Sequence, residues 1–138
     1  LLFHTRASLF KALEFAVAGK WVGDISAAVQ GYVEGHGYSV VRELVGHGIG
    51  RQLHEKPDVP NYGKRGSGKK LFPGMTICIE PMINLGVKSV VQDPDGWTIR
   101  TADRMPSAHF ELTVAIGKDR PDVLSTFRYI EEVLGNIE

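Results

Sequence analysis

The chain has very little cysteine, no net charge and no long apolar run. Cys78 is the single cysteine among 138 residues, which excludes an internal disulfide framework and suits a reducing compartment. The formal net charge of +0 gives no general attraction to nucleic acid or to an anionic membrane. No apolar run approaches the roughly 18 to 20 residues that span a bilayer. We therefore expect a cytoplasmic protein without nucleic-acid or membrane partners.

The chain also lacks an initiator methionine. It begins at Leu1, and the first residues lack the charged-then-apolar pattern of a signal peptide. We therefore expect a piece of something longer. The hydrophobic content of 43% and charged content of 23% are globular values, and the length suits one domain with a moderate core. The basic run over residues 64–70 is short and glycine-rich, and it is interpreted as a solvated loop rather than a polyanion contact.

Hydrophobic periodicity predicts helices first and strands afterwards. Apolar residues at helical spacing predict helices over about residues 6–18 and 24–34, with Gly19 placed to end the first. Strands, a loop and a short final helix follow: strands over 38–41, 75–84, 97–101 and 109–116, an edge at 123–125, a loop over 56–70 and a helix over 126–134. This order predicts an α+β fold with a mostly antiparallel sheet.

Two histidines stand seven positions apart in a glycine-rich segment. Gly46 and Gly48 flank His47, so backbone or a ligand can approach this histidine closely. A lone histidine is more often a hydrogen-bonded structural residue, and the glycine frame favours a ligand. We expect His47 near the end of a strand and His54 across a turn. His54 either polarises a carbonyl group or caps the loop before Pro57.

Two acidic residues occur in apolar, strand-like surroundings. Glu80 follows Ile77, Cys78 and Ile79, and Glu111 lies between Phe110 and Leu112. A buried acid costs several kcal/mol, on the order given for unpaired buried charges, unless something pairs with it. A single such glutamate would more often point to solvent from a half-exposed sheet. Two of them with His47 indicate a divalent metal site, suited to Mn, Fe, Co or Zn.

Two further residues have ordinary interpretations beside functional ones. Trp97 follows the turn Asp95-Gly96 and is either a core residue, which is the commoner case, or the wall of an apolar pocket. Cys78 has no basic neighbour in sequence and is interpreted as a buried small hydrophobic residue rather than a nucleophile.

Five motifs in order resemble methionine aminopeptidase. They are Gly46-His47-Gly48-Ile49-Gly50, His54-Glu55-Lys56-Pro57, Gly74-Met75-Thr76 through Ile79-Glu80-Pro81-Met82, Asp95-Gly96-Trp97-Thr98, and Ser107-Ala108-His109-Phe110-Glu111. The short connection between His54 and Glu80 resembles the type I form. The resemblance covers essentially the whole chain. It implies the pita-bread fold, in which two αβ halves enclose two metal ions.

The resemblance also implies roles for individual residues. His47, Glu80 and Glu111 resemble metal ligands, with Glu111 bridging both ions and Glu80 also a candidate acid and base. His54 resembles the histidine that hydrogen-bonds the scissile carbonyl. Trp97 and Leu53 resemble residues that line the methionine pocket. The implied reaction removes the N-terminal methionine of nascent polypeptides by means of a water activated by two divalent ions (Co, Mn, Fe or Zn).

The chain departs from the family pattern at several positions. Leu112 stands where a histidine usually follows the bridging glutamate, His109 where glutamine is usual, and Leu53 where phenylalanine is common. The two aspartate ligands of the family lie upstream of the first matched helix. The resemblance therefore implies that residues 1–138 are the C-terminal part of one catalytic domain, whose partner is the missing N-terminal half. We expect this piece alone to be inactive.

Two other functions stay open. The first is a prolidase-type peptidase that cleaves X-Pro bonds. It stays open because the segment His54-Glu55-Lys56-Pro57 is shared more widely among peptidases of this fold than the other motifs are. A non-enzymatic pita-bread module that binds proteins is supported by Leu112 and by the absent aspartates.

Overall fold

The computed structural model describes residues 1–135. Two helices come first, a set of short strands follows, and a third helix comes last. In chain order the elements are α1 Leu2–Leu13, α2 Val22–Gly35, β1 Ser39–Val40, β2 Gly46–Gly48, β3 Glu55–Val59, β4 Thr76–Ile79, β5 Met82–Asn84, β6 Val90–Gln92, β7 Ile99–Thr101, β8 Ser107–His109, β9 Leu112–Ala115, β10 Asp122–Val123 and α3 Arg128–Leu134. The predicted α+β class is confirmed.

The first helix, Leu2–Leu13, begins four residues and ends five residues earlier than predicted. It ends at Leu13, although Ala16, which lies beyond its end, is fully buried. The spacing of apolar residues thus continues beyond the end of the helix, and for this reason the predicted C-terminal boundary was too late. At its start, Leu2 is 55% exposed and gave no core-facing signal. The second helix lies close to its predicted range, and the backbone N–H of Trp21 donates to the Asp24 carboxylate over 2.8 Å at its first turn.

Two antiparallel sheets share the core with the first two helices. The larger has the strand order β10-β9-β4-β2-β3, and the smaller has the order β1-β5-β8. Helix α1 packs on α2 and on β8, and α2 packs on β1 and β3. The largest fully buried side chains come from both helices and both sheets: Leu9, Ile25, Leu71, Ile77, Ile79, Ile83, Ile116, Val29, Val33, Val40, Val59 and Val114.

The two long predicted strands are each broken in the middle. The segment predicted as one strand over 75–84 leaves the ladder at Glu80-Pro81, and the segment over 109–116 leaves it at Phe110-Glu111. The halves pair with each other: β4 with β9 in the larger sheet, and β5 with β8 in the smaller one. Two neighbouring segments thus cross from one sheet to the other side by side.

The remaining differences concern short elements. The loop predicted over 56–70 begins with strand β3, whose Pro57 is tolerated because β3 forms an edge of the sheet. A hairpin of β6 and β7 forms a separate two-stranded sheet, and only its second strand was predicted. The predicted edge strand and final helix are present as β10 and α3. Within residues 1–135, no helix has the length and apolarity needed to cross a membrane.

Candidate metal centre

The centre begins with the close approach of three backbones around β2. A Cβ atom on Gly46 would collide with the carbonyl oxygen of Cys78 in β4, and one on Gly48 would collide with the carbonyl oxygen of Lys56 in β3. Both neighbours are strands paired with β2. The glycines on either side of His47 therefore allow tight packing of the sheet, as the sequence predicted.

The His47 ring is held in one tautomer. Its Nδ1 lies 2.8 Å from the carbonyl oxygen of Gly48. Since that oxygen can only accept, Nδ1 carries a proton, and Nε2 is the ring nitrogen left to face a ligand. Nε2 lies 3.4 Å from Oε1 of Glu80, and both side chains are only 12% exposed. This is the arrangement that a metal-ligating histidine needs, with the second ring nitrogen fixed by a backbone carbonyl.

Both glutamates lie at the strand breaks. Glu80 stands between β4 and β5, and Glu111 between β8 and β9. The side-chain amide of Asn61, itself 1% exposed, donates to the Glu80 carbonyl oxygen over 3.1 Å and fixes the backbone there. Because the breaks are adjacent, both carboxylates reach the same space. The expectation of a buried Glu111 was wrong, since this residue is exposed.

His109 joins the same cluster. Its Nε2 lies 3.3 Å from Oε2 of Glu80. Two groups of potential ligand atoms result, each within 4.8 Å: His47 with Cys78 and Glu111, and Glu80 with His109 and Glu111. In the sequence, His109 is distinguished only as a departure from the family pattern. The signal that could have found it is its position two residues before Glu111.

Cys78 behaves mainly as a buried thiol. It is 1% exposed, as predicted, and its Sγ lies 3.5 Å from the Thr113 hydroxyl oxygen. Burial raises the pKa of the thiol, and the neighbouring Glu111 and Glu80 raise it further against the opposing hydrogen bond from Thr113.

His54 lies beside the cluster. Its ring meets the His47 ring edge-on, with centroids 4.3 Å apart. Both histidines line a cavity together with Val45, Gly46, Glu55, Lys56 and Asp58. His54 is exposed, so its ring nitrogens are available to a molecule bound next to His47.

The other predicted site residues lie apart from the cluster. Trp97 is 88% exposed in the turn of the β6–β7 hairpin, so its interpretation as a core residue was wrong. Leu53 is 66% exposed and does not line the His47 cavity. Their role as pocket residues stays a prediction. Leu112 is 2% exposed and packs in the core, so it contributes no ligand.

The residues present fit a divalent cation. Neighbouring ligands on a tetrahedral zinc ion, with bonds of about 2.1 Å, lie about 3.4 Å apart. The two imidazole–carboxylate separations of 3.4 and 3.3 Å match that spacing. Imidazole nitrogen with carboxylate oxygen suits Mn, Fe, Co or Zn. Within the described residues, neither ligand group contains an aspartate.

Comparison with known proteins identifies the class. The model of metallopeptidase family M24 matches residues 4–118, and the chain belongs to this family. A metallopeptidase family agrees with the imidazole–carboxylate cluster.

Within the family, the chain is similar to methionine aminopeptidases. It is 50% identical over 128 residues to a methionine aminopeptidase of Clostridium perfringens, covering 93% of this chain and 51% of that protein. The crystal structure of a methionine aminopeptidase from Thermotoga maritima matches with a TM-score of 0.86 and 45% identity, covering 88% of this chain and 49% of that one. The resemblance drawn from the five motifs is confirmed. The chain spans about half the length of the curated relatives it matches.

Prolidases share the fold more distantly. The prolidase of Pyrococcus horikoshii matches with a TM-score of 0.65 at 24% identity, covering 88% of this chain and 29% of that one. This likeness concerns the fold alone. Together with the methionine aminopeptidase structure, it bears out the expected pita-bread architecture.

Proposed function

We propose that the protein removes the N-terminal methionine from peptides and nascent polypeptides in the cytoplasm. The observation that carries this proposal is the meeting of imidazoles and carboxylates from separate segments. His47 Nε2 lies 3.4 Å from Glu80 Oε1, and Glu111 belongs both to the ligand group of His47 and to that of Glu80. The methionine aminopeptidases similar to this chain supply the reaction type.

The proposed roles follow from the chemistry of each side chain. Divalent ions bound here would supply Lewis acidity and a more acidic bound water. His47 would hold a cation through Nε2, because its Nδ1 faces the Gly48 carbonyl oxygen, and Glu111 would contribute its carboxylate to both ligand groups. Glu80 accepts and returns a proton next to them. His54 donates a hydrogen bond to the scissile carbonyl oxygen as negative charge develops there.

The active form is proposed to need more than this chain. We propose that residues 1–138 are the C-terminal part of one catalytic domain, and that an N-terminal half contributes two aspartate ligands. The complete site would then hold two ions, Co, Mn, Fe or Zn. Trp97 and Leu53, both exposed, would line the methionine pocket there.

A substrate comparison tests the proposed reaction. The protein, assembled with its N-terminal half and supplied with Co²⁺, is assayed on Met-Gly-Met and on a dipeptide ending in proline. Cleavage of Met-Gly-Met by the wild-type protein supports the proposal if the Glu111→Gln variant loses this activity. The matched control His36→Gln, which lies outside both ligand groups, should keep it. Cleavage of the proline dipeptide alone would instead assign a prolidase-type X-Pro peptidase.

A non-enzymatic binding module is the second candidate. It is favoured by Leu112, which is committed to the core and stands where a histidine usually follows the bridging glutamate. Metal titration separates the two candidates, because the enzyme must bind divalent ions. No metal uptake by the assembled protein would favour the binding module.

A further inference from the structure

Positive charge is concentrated in three segments that the fold brings together. Residues 18–21, 64–72 and 117–121 contain one acid, Asp119, and seven exposed basic residues. We call these seven the basic patch: Lys20, Lys64, Arg65, Lys69, Lys70, Lys118 and Arg120. Because the whole chain is formally neutral, its other residues are acidic on balance. The expectation of no nucleic-acid partner rests on that total charge and not on its distribution.

Backbone hydrogen bonds join the three segments. The N–H of Leu71 donates to the Lys20 carbonyl oxygen over 2.8 Å, which ties the second segment to the first. The N–H of Ala18 donates to the Gly117 carbonyl oxygen over 2.9 Å, which ties the third segment to the first. The basic residues of each segment therefore lie beside those of its neighbour.

The run over residues 64–70 is exposed, but its backbone is held against the start of helix α2. The N–H of Gly23 donates to the Ser67 carbonyl oxygen over 2.9 Å, and the N–H of Gly66 donates to the Asp24 carboxylate over 2.9 Å. A Cβ atom on Gly23 would collide with the carbonyl oxygen of the first residue of the run, so glycine permits this close contact. The charges are therefore carried on a fixed backbone.

The charges of the basic patch are accessible. Within residues 1–135, no member of the patch forms a salt bridge. The Arg65 guanidinium carbon lies 4.8 Å from the centroid of the Phe15 ring, and Lys70 Nζ lies 5.8 Å from that of Trp21. A cation placed over a ring keeps its charge. Phe72 follows the run and is 51% exposed, so an accessible aromatic ring borders the patch.

We infer that the basic patch binds single-stranded RNA through its phosphates. Proteins that bind single strands combine a positively charged surface with aromatic side chains on which bases stack. An anionic membrane would instead need several apolar groups to insert beside the cations, and among the described residues of the three segments Phe72 is the one large exposed hydrophobic residue. In the described chain the patch shares no residue with the metal-ligand groups or the His47 cavity. The inference therefore goes beyond the proposed function.

The salt dependence of binding tests this inference. The full chain, with EDTA present to keep the metal centre empty, is titrated into a fluorescein-labelled oligouridylate of about 12 nucleotides, which is within the range of single-strand site sizes. Fluorescence anisotropy measures the association constant at several salt concentrations. Its logarithm is expected to fall with the logarithm of the salt concentration, with a slope of about −0.7 for each phosphate contacted.

Neutralising substitutions locate the binding surface. One variant removes three charges from the patch: Lys64→Gln, Lys69→Gln and Lys118→Gln. It is expected to flatten the slope by about 2 and to weaken binding about a hundredfold at about 0.1 M salt. A matched control removes three charges from exposed residues outside the patch: Arg51→Gln, Lys88→Gln and Arg128→Gln. The control should leave the slope and the affinity unchanged, and circular dichroism checks that both variants are folded.

The contribution of stacking is measured separately. Phe72→Ala is expected to weaken binding about fivefold or more, as loss of one stacked base does, and to leave the salt slope unchanged. Equal affinities of the wild type and Phe72→Ala would overturn the assignment to a single strand.

Other outcomes would also overturn the inference. The absence of salt-dependent binding by the wild-type chain decides against it without any substitution. Undiminished binding by the patch variant would show that RNA contacts another surface. Binding to phosphatidylserine vesicles without binding to the oligonucleotide would assign a different partner. Loss of RNA binding on assembly with the N-terminal half would show that this half covers the patch. None of these results bears on cleavage of Met-Gly-Met, so the proposed function is tested independently.

Discussion

At the scale of single residues, the site depends on two kinds of group. Some allow neighbouring strands to approach closely, and others fix the backbone of Glu80 or the ring of His47. Gly46 and Gly48 admit the neighbouring strands, Asn61 holds the backbone of Glu80, and the Gly48 carbonyl sets the tautomer of His47. None of these groups performs chemistry. They determine where Nε2 and the carboxylate oxygens lie.

The glycine frame can be tested by adding one methyl group. Gly46→Ala is expected to destabilise the fold by about 1 to 3 kcal/mol, the usual cost of overpacking, because its Cβ would meet the Cys78 carbonyl. Gly31→Ala is the matched control. Its Cβ meets nothing within 4 Å inside α2, so a gain of about 0.5 to 1 kcal/mol is expected. Urea unfolding measures both, and equal effects would contradict the packing argument.

The role of His54 can be separated from metal binding. In the assembled enzyme, His54→Gln is expected to lower kcat about 10² to 10³-fold, as loss of one oxyanion donor does. Metal affinity should stay close to wild type, because His54 is outside both ligand groups. Steady-state kinetics on Met-Gly-Met and a Co²⁺ titration measure the two effects. Loss of metal with unchanged turnover per bound ion would refute this assignment.

At the scale of elements, the paired strand breaks create the site. Pro81 carried a local signal for one break, because proline cannot donate to the ladder. Phe110-Glu111 carried none, since strand-forming residues run through it, and its break is set by pairing of β8 with β5 and of β9 with β4. His47, Glu80 and Glu111 were therefore predictable as candidates from sequence. Their convergence, the exposure of Glu111 and the position of His109 depend on tertiary pairing.

The β6–β7 turn offers a pH test of one element. The Thr98 hydroxyl, followed by the backbone N–H groups of Trp97 and Thr98, lowers the pKa of Asp95 below its ordinary 3.8. Because the folded pKa is lowered, this turn stabilisation is present above pH 3.8 and is lost as the pH falls through the folded value. NMR titration of the Trp97 amide should give a midpoint below 3.8.

A hydroxyl deletion provides the control for that titration. Thr98→Val removes the first of these hydrogen bonds and should move the midpoint back toward 3.8. A wild-type midpoint at or above that value would show that the carboxylate does not hold the turn in its charged form.

At the scale of the whole molecule, the fold of this chain and the proposed activity depend on different sets of residues. The chain has its own core, built from both helices and both sheets, yet it spans about half of its methionine aminopeptidase relatives. The α+β class was predictable because the periodicity changes after α2. Under the proposed function, activity would also need the ligands that we propose for an N-terminal half.

This separation predicts a metal-binding chain without turnover. The purified 138-residue chain is expected to take up Zn²⁺ or Co²⁺ and to leave Met-Gly-Met uncleaved, because the proposed aspartate ligands and the second half of the pocket are supplied by the N-terminal half. Peptide release followed by chromatography checks this. Metal-dependent cleavage by the isolated chain would contradict the proposed division of the domain.

The most direct measurement is anomalous diffraction at the zinc edge from crystals of the chain grown with Zn²⁺. We predict a peak about 2.0 to 2.2 Å from Nε2 of His47 and from carboxylate oxygens of Glu80 and Glu111. Saturating Zn²⁺ that leaves this position without a peak, or that gives peaks only at other side chains, would contradict the claim that these three residues form a metal centre.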